Sequence, residues 1–107
     1  RDGLRENAEA MDRLIQDGLR DRLRGQAGFV EVRGRGLMIG IQLDRACGEL
    51  VGEALAAGLL INVTADNVVR LLPALVINEA EARQLVAELA ALIAAFLQRP
   101  PVPAKAH

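Results

Sequence analysis

The sequence has few of the side chains that carry covalent catalysis or bind metal ions. Its 107 residues include no serine, tyrosine or tryptophan, one threonine, and single copies of cysteine (Cys47), histidine (His107) and lysine (Lys105). A disulfide within the chain is therefore excluded, and a Cys/His metal site is not expected. Lys105 lies in a Pro/Ala tail with no apolar periodicity to pack it, so we expect no catalytic residue and no metal site in this chain.

An excess of charge of one sign is also missing. Thirteen basic and 14 acidic residues give a formal net charge of −1, and the two signs are interleaved. No electrostatic field is present that would attract nucleic acid or an anionic membrane. No basic n-region followed by an apolar run begins the chain, so neither a signal peptide nor a membrane-spanning helix is expected. We therefore expect neither nucleic acid nor a membrane as a partner. The single cysteine is typical of a reduced, intracellular setting.

Apolar periodicity predicts three helices. Residues 4–23 have the i, i+3, i+4 spacing of an amphipathic helix, and Asn78 with Glu81 resembles a capping box that opens a long C-terminal helix. Between them we expect a shorter helix with Asp44 as its N-cap and Gly58 as its C-terminal stop. The predicted apolar stripe of this middle helix is Cys47, Leu50, Val51, Ala54 and Leu55.

Four strands are expected between these helices. Strand patterns occur at residues 29–32, 37–43, 59–63 and 68–72,. Gly34 and Gly36 mark a predicted tight turn in the first pair, and Ile39, Ile41 and Leu43 alternate onto one face with Leu37. The element order predicts an α+β fold in residues 1–99, a small, mostly antiparallel sheet with helices packed on one face, and residues 100–107 are expected to be a flexible Pro/Ala tail.

Arg70 has the clearest functional signal. It interrupts an apolar run at residues 68–72, where a guanidinium is costly unless something anionic meets it,. One interpretation is an edge-strand arginine whose stem lies on the sheet while its head reaches solvent or a local carboxylate, and the strand pattern alone favours it. The other is bidentate recognition of a carboxylate, which suits the planar guanidinium.

Other conspicuous residues have ordinary explanations. Cys47 is predicted to be a buried core thiol. Thr64, Asp66 and Asn67 fit turn chemistry, and the alternative, a role near a ligand, depends only on their loop adjoining Arg70. The Arg-Gly-Arg-Gly segment at residues 33–36 lacks interleaved aromatic residues, so we interpret it as a hairpin turn with solvated arginines rather than a nucleic-acid element,.

Two segments carry a family resemblance. Residues 32–40, VRGRGLMIG, and residues 57–64, AGLLINVT, followed by VRLLP at 69–73, resemble the C-terminal end of class III pyridoxal-phosphate-dependent aminotransferases, most closely the acetylornithine type. The resemblance extends from the first helix to Leu97. One departure is Ala74, where the family pattern has a second proline after Pro73.

The resemblance implies that this chain is the C-terminal small domain of an aminotransferase. Arg70 would grip the α-carboxylate of the substrates, N-acetylornithine or a related ornithine derivative as donor and 2-oxoglutarate as acceptor, in arginine biosynthesis. The Schiff-base lysine and most contacts to pyridoxal 5'-phosphate would lie in an upstream large domain, so no cofactor-binding residue is assigned here. The family further implies a cytoplasmic homodimer and an isolated chain without activity. The alternative hypothesis is a non-catalytic dimerisation or interaction domain.

Overall fold

The computed structural model describes residues 2–35, 38–59, 61–71 and 78–99. Over these residues the chain forms an α+β fold, as predicted. The predicted tail at 100–107, the turn residue Gly36 and the end of the last predicted strand at residue 72 lie outside the described residues. The elements in chain order are α1 (Asp2–Leu23), β1 (Phe29–Arg35), β2 (Met38–Leu43), α2 (Leu50–Ala56), β3 (Ile61–Thr64), β4 (Val68–Leu71) and α3 (Glu79–Gln98).

The four strands form one sheet in the order β1-β2-β4-β3, and every neighbouring pair is antiparallel. The β1–β2 and β3–β4 pairs are sequential hairpins. The pairing of β2 with β4 joins them, with Ile39 opposite Leu71. Because β4 therefore has a partner on each side, it is an inner strand, and the edge-strand interpretation of Arg70 is wrong.

One face of the sheet is buried against the helices. Ile39, Ile41 and Leu43 of β2 are at most 1% exposed and share this face, as the alternation predicted. Val69 and Leu71 of β4 join them in a single apolar cluster with helical side chains. Each such fully buried aliphatic residue stabilises the fold by about 1.5–3 kcal/mol. The helical members of the cluster with the least exposure include Ile15, Leu19, Leu23, Leu89 and Ile93.

The turn predicted at Gly34 is wrong. Gly34 lies in β1 opposite Ile39, and the ladder continues to the pair Arg35 and Met38. Glycine at this position weakens a strand without forbidding it, and hydrogen bonding to β2 outweighs its turn preference. The hairpin itself is confirmed.

The predicted N-cap at Asp44 is also wrong. Helix α2 begins at Leu50, with Glu49 as an N-cap that makes no side-chain capping bond. The Asp44 carboxylate instead accepts a hydrogen bond of 2.8 Å from Arg45 Nε, and the Asp44 N–H donates to the Gly28 carbonyl at 2.9 Å. A neighbouring cation and a backbone bond therefore hold Asp44 away from the helix start.

The apolar stripe of α2 is only partly confirmed. Cys47, Leu50 and Ala54 are completely buried, but Val51 and Leu55 are 36% and 62% exposed. With seven residues, α2 has about two turns, and only one narrow side of it meets β3 and α3,. The predicted apolar stripe was therefore wider than the side of α2 that β3 and α3 bury.

The C-terminus of α2 is confirmed at Gly58. This residue has φ +86°, in the left-handed region where glycine carries no steric penalty,. Its N–H donates to the Leu55 carbonyl at 2.9 Å, and the Leu59 N–H donates to the Ala54 carbonyl at 2.8 Å, which is a Schellman motif. Because Leu59 closes this motif, it lies outside β3, contrary to the prediction, and the described strand is Ile61–Thr64, with residue 60 outside the described residues.

Helix α3 begins as its sequence predicts. The Asn78 side chain accepts from the Glu81 N–H at 2.7 Å, and the Glu81 carboxylate accepts from the Asn78 N–H at 2.9 Å. This reciprocal capping box satisfies two backbone donors that the helix would otherwise leave without partners.

An ion cluster ties the end of α3 to α2. Arg99 donates to the Glu49 carboxylate at 3.0 Å and to the Glu53 carboxylate at 2.8 Å, and its guanidinium lies 5.6 Å from the centre of the Phe96 ring. The hydrogen bond from Arg99 lowers the pKa of Glu53 below its ordinary value. Because these side chains are partly exposed, solvent and salt screen the contribution.

Cys47 is a core residue, as predicted. Its side chain is fully buried, and burial raises the pKa of the thiol. Its backbone N–H donates to the Asp66 carbonyl at 2.8 Å. The contact therefore anchors the segment before α2 to the turn between β3 and β4.

Helices α1 and α3 approach closely at Gly18, which generates a first prediction. A Cβ at Gly18 would lie 2.9 Å from Val86 Cγ1, whereas a Cβ at Gly52 of α2 would meet nothing within 4 Å. Replacing glycine by alanine favours helix by about 1 kcal/mol at both positions. We expect Gly52→Ala to raise the thermal unfolding midpoint and Gly18→Ala to lower it, because overpacking a stiff, buried valine costs about 1–3 kcal/mol. An equal rise in both variants would show that the Gly18 contact is not tight.

The Arg99 cluster gives a second prediction, on pH dependence. Because the pKa of Glu53 is lowered in the folded state, its ion pair stabilises the protein above the pKa of the unfolded chain and is lost as pH falls through the folded pKa. Urea unfolding measured from pH 7 down to pH 3 should show a shallower loss of stability in Glu53→Gln than in the parent. Glu79→Gln, which removes the carboxylate of an exposed i,i+4 pair in α3, is the control. Identical curves for Glu53→Gln and the parent at low salt would contradict the prediction.

Candidate functional site

The face of the sheet opposite the helices carries a cleft of about 510 Å³. Both hairpins contribute to it, so the pairing of β2 with β4 assembles its walls. Its lining residues are Arg33, Gly34, Ile39, Gly40, Thr64, Ala65, Val68 and Arg70.

Strand register places two arginines of the cleft in one row. Gly40 pairs with Arg33 on one side and with Arg70 on the other, and Asn62 completes the row on β3. Neighbouring strands lie about 4.8 Å apart, so the backbones of Arg33 and Arg70 are separated by about 10 Å. Gly40 contributes no side chain between them.

Arg70 is half-buried on the inner strand β4. Alternation directs Val69 and Leu71 into the core, where they are 0% and 1% exposed, and leaves Val68 and Arg70 facing the cleft. The predicted sharing of one face by Val68 and Arg70 is confirmed. Among the described residues that line the cleft, the charged ones are Arg33 and Arg70.

Arg33 has a different environment from Arg70. It is exposed, as predicted, although it lies in β1 rather than in a turn, and it forms an ion pair with Glu31. Such an exposed pair contributes at most about 1 kcal/mol. The contact therefore neutralises part of the charge of Arg33 without fixing its side chain in place.

The turn between β3 and β4 forms one wall of the cleft. Ala65 and Asp66 adopt positive φ angles of 52° and 68°, which are uncommon for residues other than glycine,. Asn67 holds this turn against the end of β2, because its side-chain amide donates to the Leu43 carbonyl at 3.0 Å while its own carbonyl accepts from the Leu43 N–H at 2.9 Å. The predicted turn at residues 65–67 is confirmed.

The sequence singled out Arg70 but not the residues that surround it. Turn chemistry explained Thr64 from the sequence alone, and Gly40 had no assigned role. Their proximity to Arg70 depends on the order of the strands. A glycine in the middle of an apolar strand was the one local signal for close approach of another group to the backbone.

The cleft is suited to binding an anion rather than to forming bonds with it. Guanidinium groups bind and orient carboxylates, and Cys47 lies in the core. Within the described ranges, no group of three or more His, Cys, Asp or Glu side chains could hold a metal ion. Lys105 and His107 lie outside the described residues. None of the helices in the described part of the chain has the length and apolar character needed to cross a membrane.

Comparison with known proteins assigns the chain to a family. Residues 1–93 match the family model of "Aminotransferase class-III". The chain is 51% identical over 96 residues to acetylornithine aminotransferase 1 of Bordetella bronchiseptica, a match that covers 90% of this chain and 24% of that protein. It is 45% identical over 97 residues to acetylornithine aminotransferase of Nitrosomonas europaea, covering 91% of this chain and 25% of that protein. The chain thus spans about a quarter of the length of these curated relatives.

Solved structures of aminotransferases share the fold. The N-acetylornithine aminotransferase of Stenotrophomonas maltophilia superposes with a TM-score of 0.77 at 33% identity, over 89% of this chain and 27% of that one. Acetylornithine aminotransferase of Elizabethkingia anophelis gives a TM-score of 0.80 at 27% identity, over 89% and 26% of the two chains. The fold that the chain shares with these structures agrees with the family match over residues 1–93. The chain belongs to the class III aminotransferases.

Proposed function

We propose that this chain is the C-terminal small domain of an aminotransferase that moves an amino group from N-acetylornithine, or a related ornithine derivative, to 2-oxoglutarate in arginine biosynthesis. The donor is suggested by the relatives, which are acetylornithine aminotransferases. The observation that carries the proposal is the placement of Arg70, a half-buried guanidinium on an inner strand that lines a cleft on the face of the sheet opposite the helices.

In this proposal Arg70 binds the α-carboxylate of each substrate. The planar guanidinium forms two parallel hydrogen bonds with a carboxylate, and partial burial strengthens them. N-acetylornithine and glutamate share the α-carboxylate and differ at the far end. One anchor of this kind therefore serves both half-reactions, while discrimination between donors that differ only at the far end, such as N-acetylornithine and ornithine, depends on groups outside this cleft.

The family implies pyridoxal 5'-phosphate, which supplies electron withdrawal from the substrate amine when bound. The described residues do not fit the covalent anchor of this cofactor, because the only lysine of the sequence is Lys105, outside the described ranges. We assign most cofactor contacts to a large domain that precedes this chain in the full-length enzyme. No residue of this chain is assigned to the cofactor.

The assembly and location in this proposal follow the family. We expect the full-length enzyme to be a homodimer in the cytoplasm, acting on amino acids and 2-oxo acids. The alternative hypothesis is a non-catalytic dimerisation or interaction domain. It differs from the proposal in a testable way, because it predicts that substitution of Arg70 has no effect on turnover.

The proposal predicts that the isolated chain is inactive. Transamination needs an amine held in a shaped site, and Lys105 is in the predicted tail. The purified chain, mixed with pyridoxal phosphate, N-acetylornithine and 2-oxoglutarate, should produce glutamate no faster than pyridoxal phosphate alone. A protein-dependent rate above that background would overturn the assignment of the cofactor site to another domain.

A second prediction tests Arg70 in the full-length enzyme. Arg70→Ala removes a charge-assisted contact and should lower kcat/KM by about 30-fold to 1,000-fold, equivalent to about 2–4 kcal/mol. Arg70→Lys keeps the charge but loses the two-pronged geometry, so we expect an intermediate loss. Single-turnover rates of both half-reactions measure the effect, which should be similar with N-acetylornithine and with glutamate.

Two controls accompany the Arg70 measurement. Arg83→Lys, on an exposed turn of α3 where the arginine pairs with Glu79, should retain the parent rates. The cofactor absorbance of the Arg70 variants should also match that of the parent, because no cofactor contact is assigned to this residue. Parent rates in both Arg70 variants would refute the anchor and favour the interaction-domain hypothesis, whereas damage to one half-reaction alone would make Arg70 a side-chain selector.

A further inference from the structure

Gly40 is an unusual residue for its position. It lies in β2, an inner strand with β1 on one side and β4 on the other, between Ile39 and Ile41, which are at most 1% exposed. Glycine weakens the interior of a strand, because it loses more backbone entropy on folding and packs no side chain. A β-branched residue would suit the strand better.

The described fold does not itself require glycine here. Gly40 is not among the glycines with positive φ, which within the described residues are Gly25, Gly28 and Gly58. A Cβ at Gly40 would lie 3.4 Å from Val68 Cγ1 and 3.9 Å from the Arg33 carbonyl oxygen, at ordinary contact distances. Among the described residues, both the backbone conformation and the neighbouring side chains therefore accommodate a Cβ at position 40.

Gly40 forms the floor of the cleft. Gly40 is opposite Arg70 in the ladder and opposite Arg33 on its other side, so a side chain at position 40 would project from the sheet between the two guanidinium stems. Thr64 and Ala65 close the same cleft from the β3–β4 turn. Any side chain at position 40 would occupy volume beside the Arg70 side chain.

We propose that Gly40 is a specificity-determining residue. It keeps the floor of the cleft flat, so that the carbon chain of a substrate whose carboxylate pairs with Arg70 can lie against the backbone of β2. The inference rests on the proposed function of Arg70 as the carboxylate anchor. It assigns to the cleft amino and 2-oxo acids whose carbon chain lies along the backbone of β2, in the space that a side chain at position 40 would fill.

Kinetics and stability of the full-length holoenzyme test this role in Gly40→Ala and Gly40→Val. We expect KM for N-acetylornithine and for 2-oxoglutarate to rise with side-chain size, by about tenfold or more for Gly40→Val, with a smaller change in kcat. The thermal unfolding midpoint should stay unchanged or rise. Gln42→Val is the matched control, because Gln42 lies on the same strand and face but does not line the cleft, and it should keep the parent KM.

The outcomes separate this inference from the proposed function. Parent KM values in Gly40→Val, together with impaired Arg70→Lys, would overturn the role of Gly40 and leave the anchor intact. Parent rates in Arg70→Lys and Arg70→Ala would overturn the anchor itself. A lower unfolding midpoint in both Gly40→Ala and Gly40→Val, with Gln42→Val unaffected, would show that the glycine accommodates another segment of the protein, and this too overturns the inference.

Discussion

The register of β4 between β2 and β3 decides which side chains reach the core and which reach the cleft. Arg70 pairs with Gly40 and with Asn62, and this alignment sends Val69 and Leu71 to the buried face. A slip of one residue would exchange the two faces. It would bury a guanidinium against aliphatic side chains at a cost of several kcal/mol. The hydrophobic demand of the core thus fixes the position of the proposed substrate anchor.

Helices cover one face of the sheet, and this leaves the other face for binding. The covered face is held by close contact of α1 and α3, which depends on the missing side chain at Gly18 beside Val86, and by the ion cluster of Arg99 with Glu49 and Glu53. These contacts stabilise the layer without reaching the cleft. Glycine therefore has two separate uses in this fold, close packing of helices at position 18 and open space at position 40.

The features that the sequence predicted correctly depend on interactions between residues that are close together in the chain. The capping box at Asn78 and the alternation of Ile39, Ile41 and Leu43 were both read correctly, because each depends on a few neighbouring residues. The start of α2 was missed because Arg45 competes for the Asp44 carboxylate. The inner position of β4 was missed because it depends on pairing with a strand that is distant in sequence. For the same reason the sequence singled out Arg70 and the adjoining loop at Thr64, but it could not place Gly40 beside them.

The division of the cleft between two hairpins has a consequence for folding kinetics. Arg33 and Gly40 come from the first hairpin, and Thr64 and Arg70 from the second. Each hairpin forms from neighbouring segments, but docking β2 on β4 closes a long loop that includes α2, and such non-local pairing is the slow part of folding. A chain with both hairpins formed but undocked has no cleft. The proposed binding site therefore arises in the same step that completes the sheet, and we expect a chain with undocked hairpins to have no affinity for a carboxylate at this site.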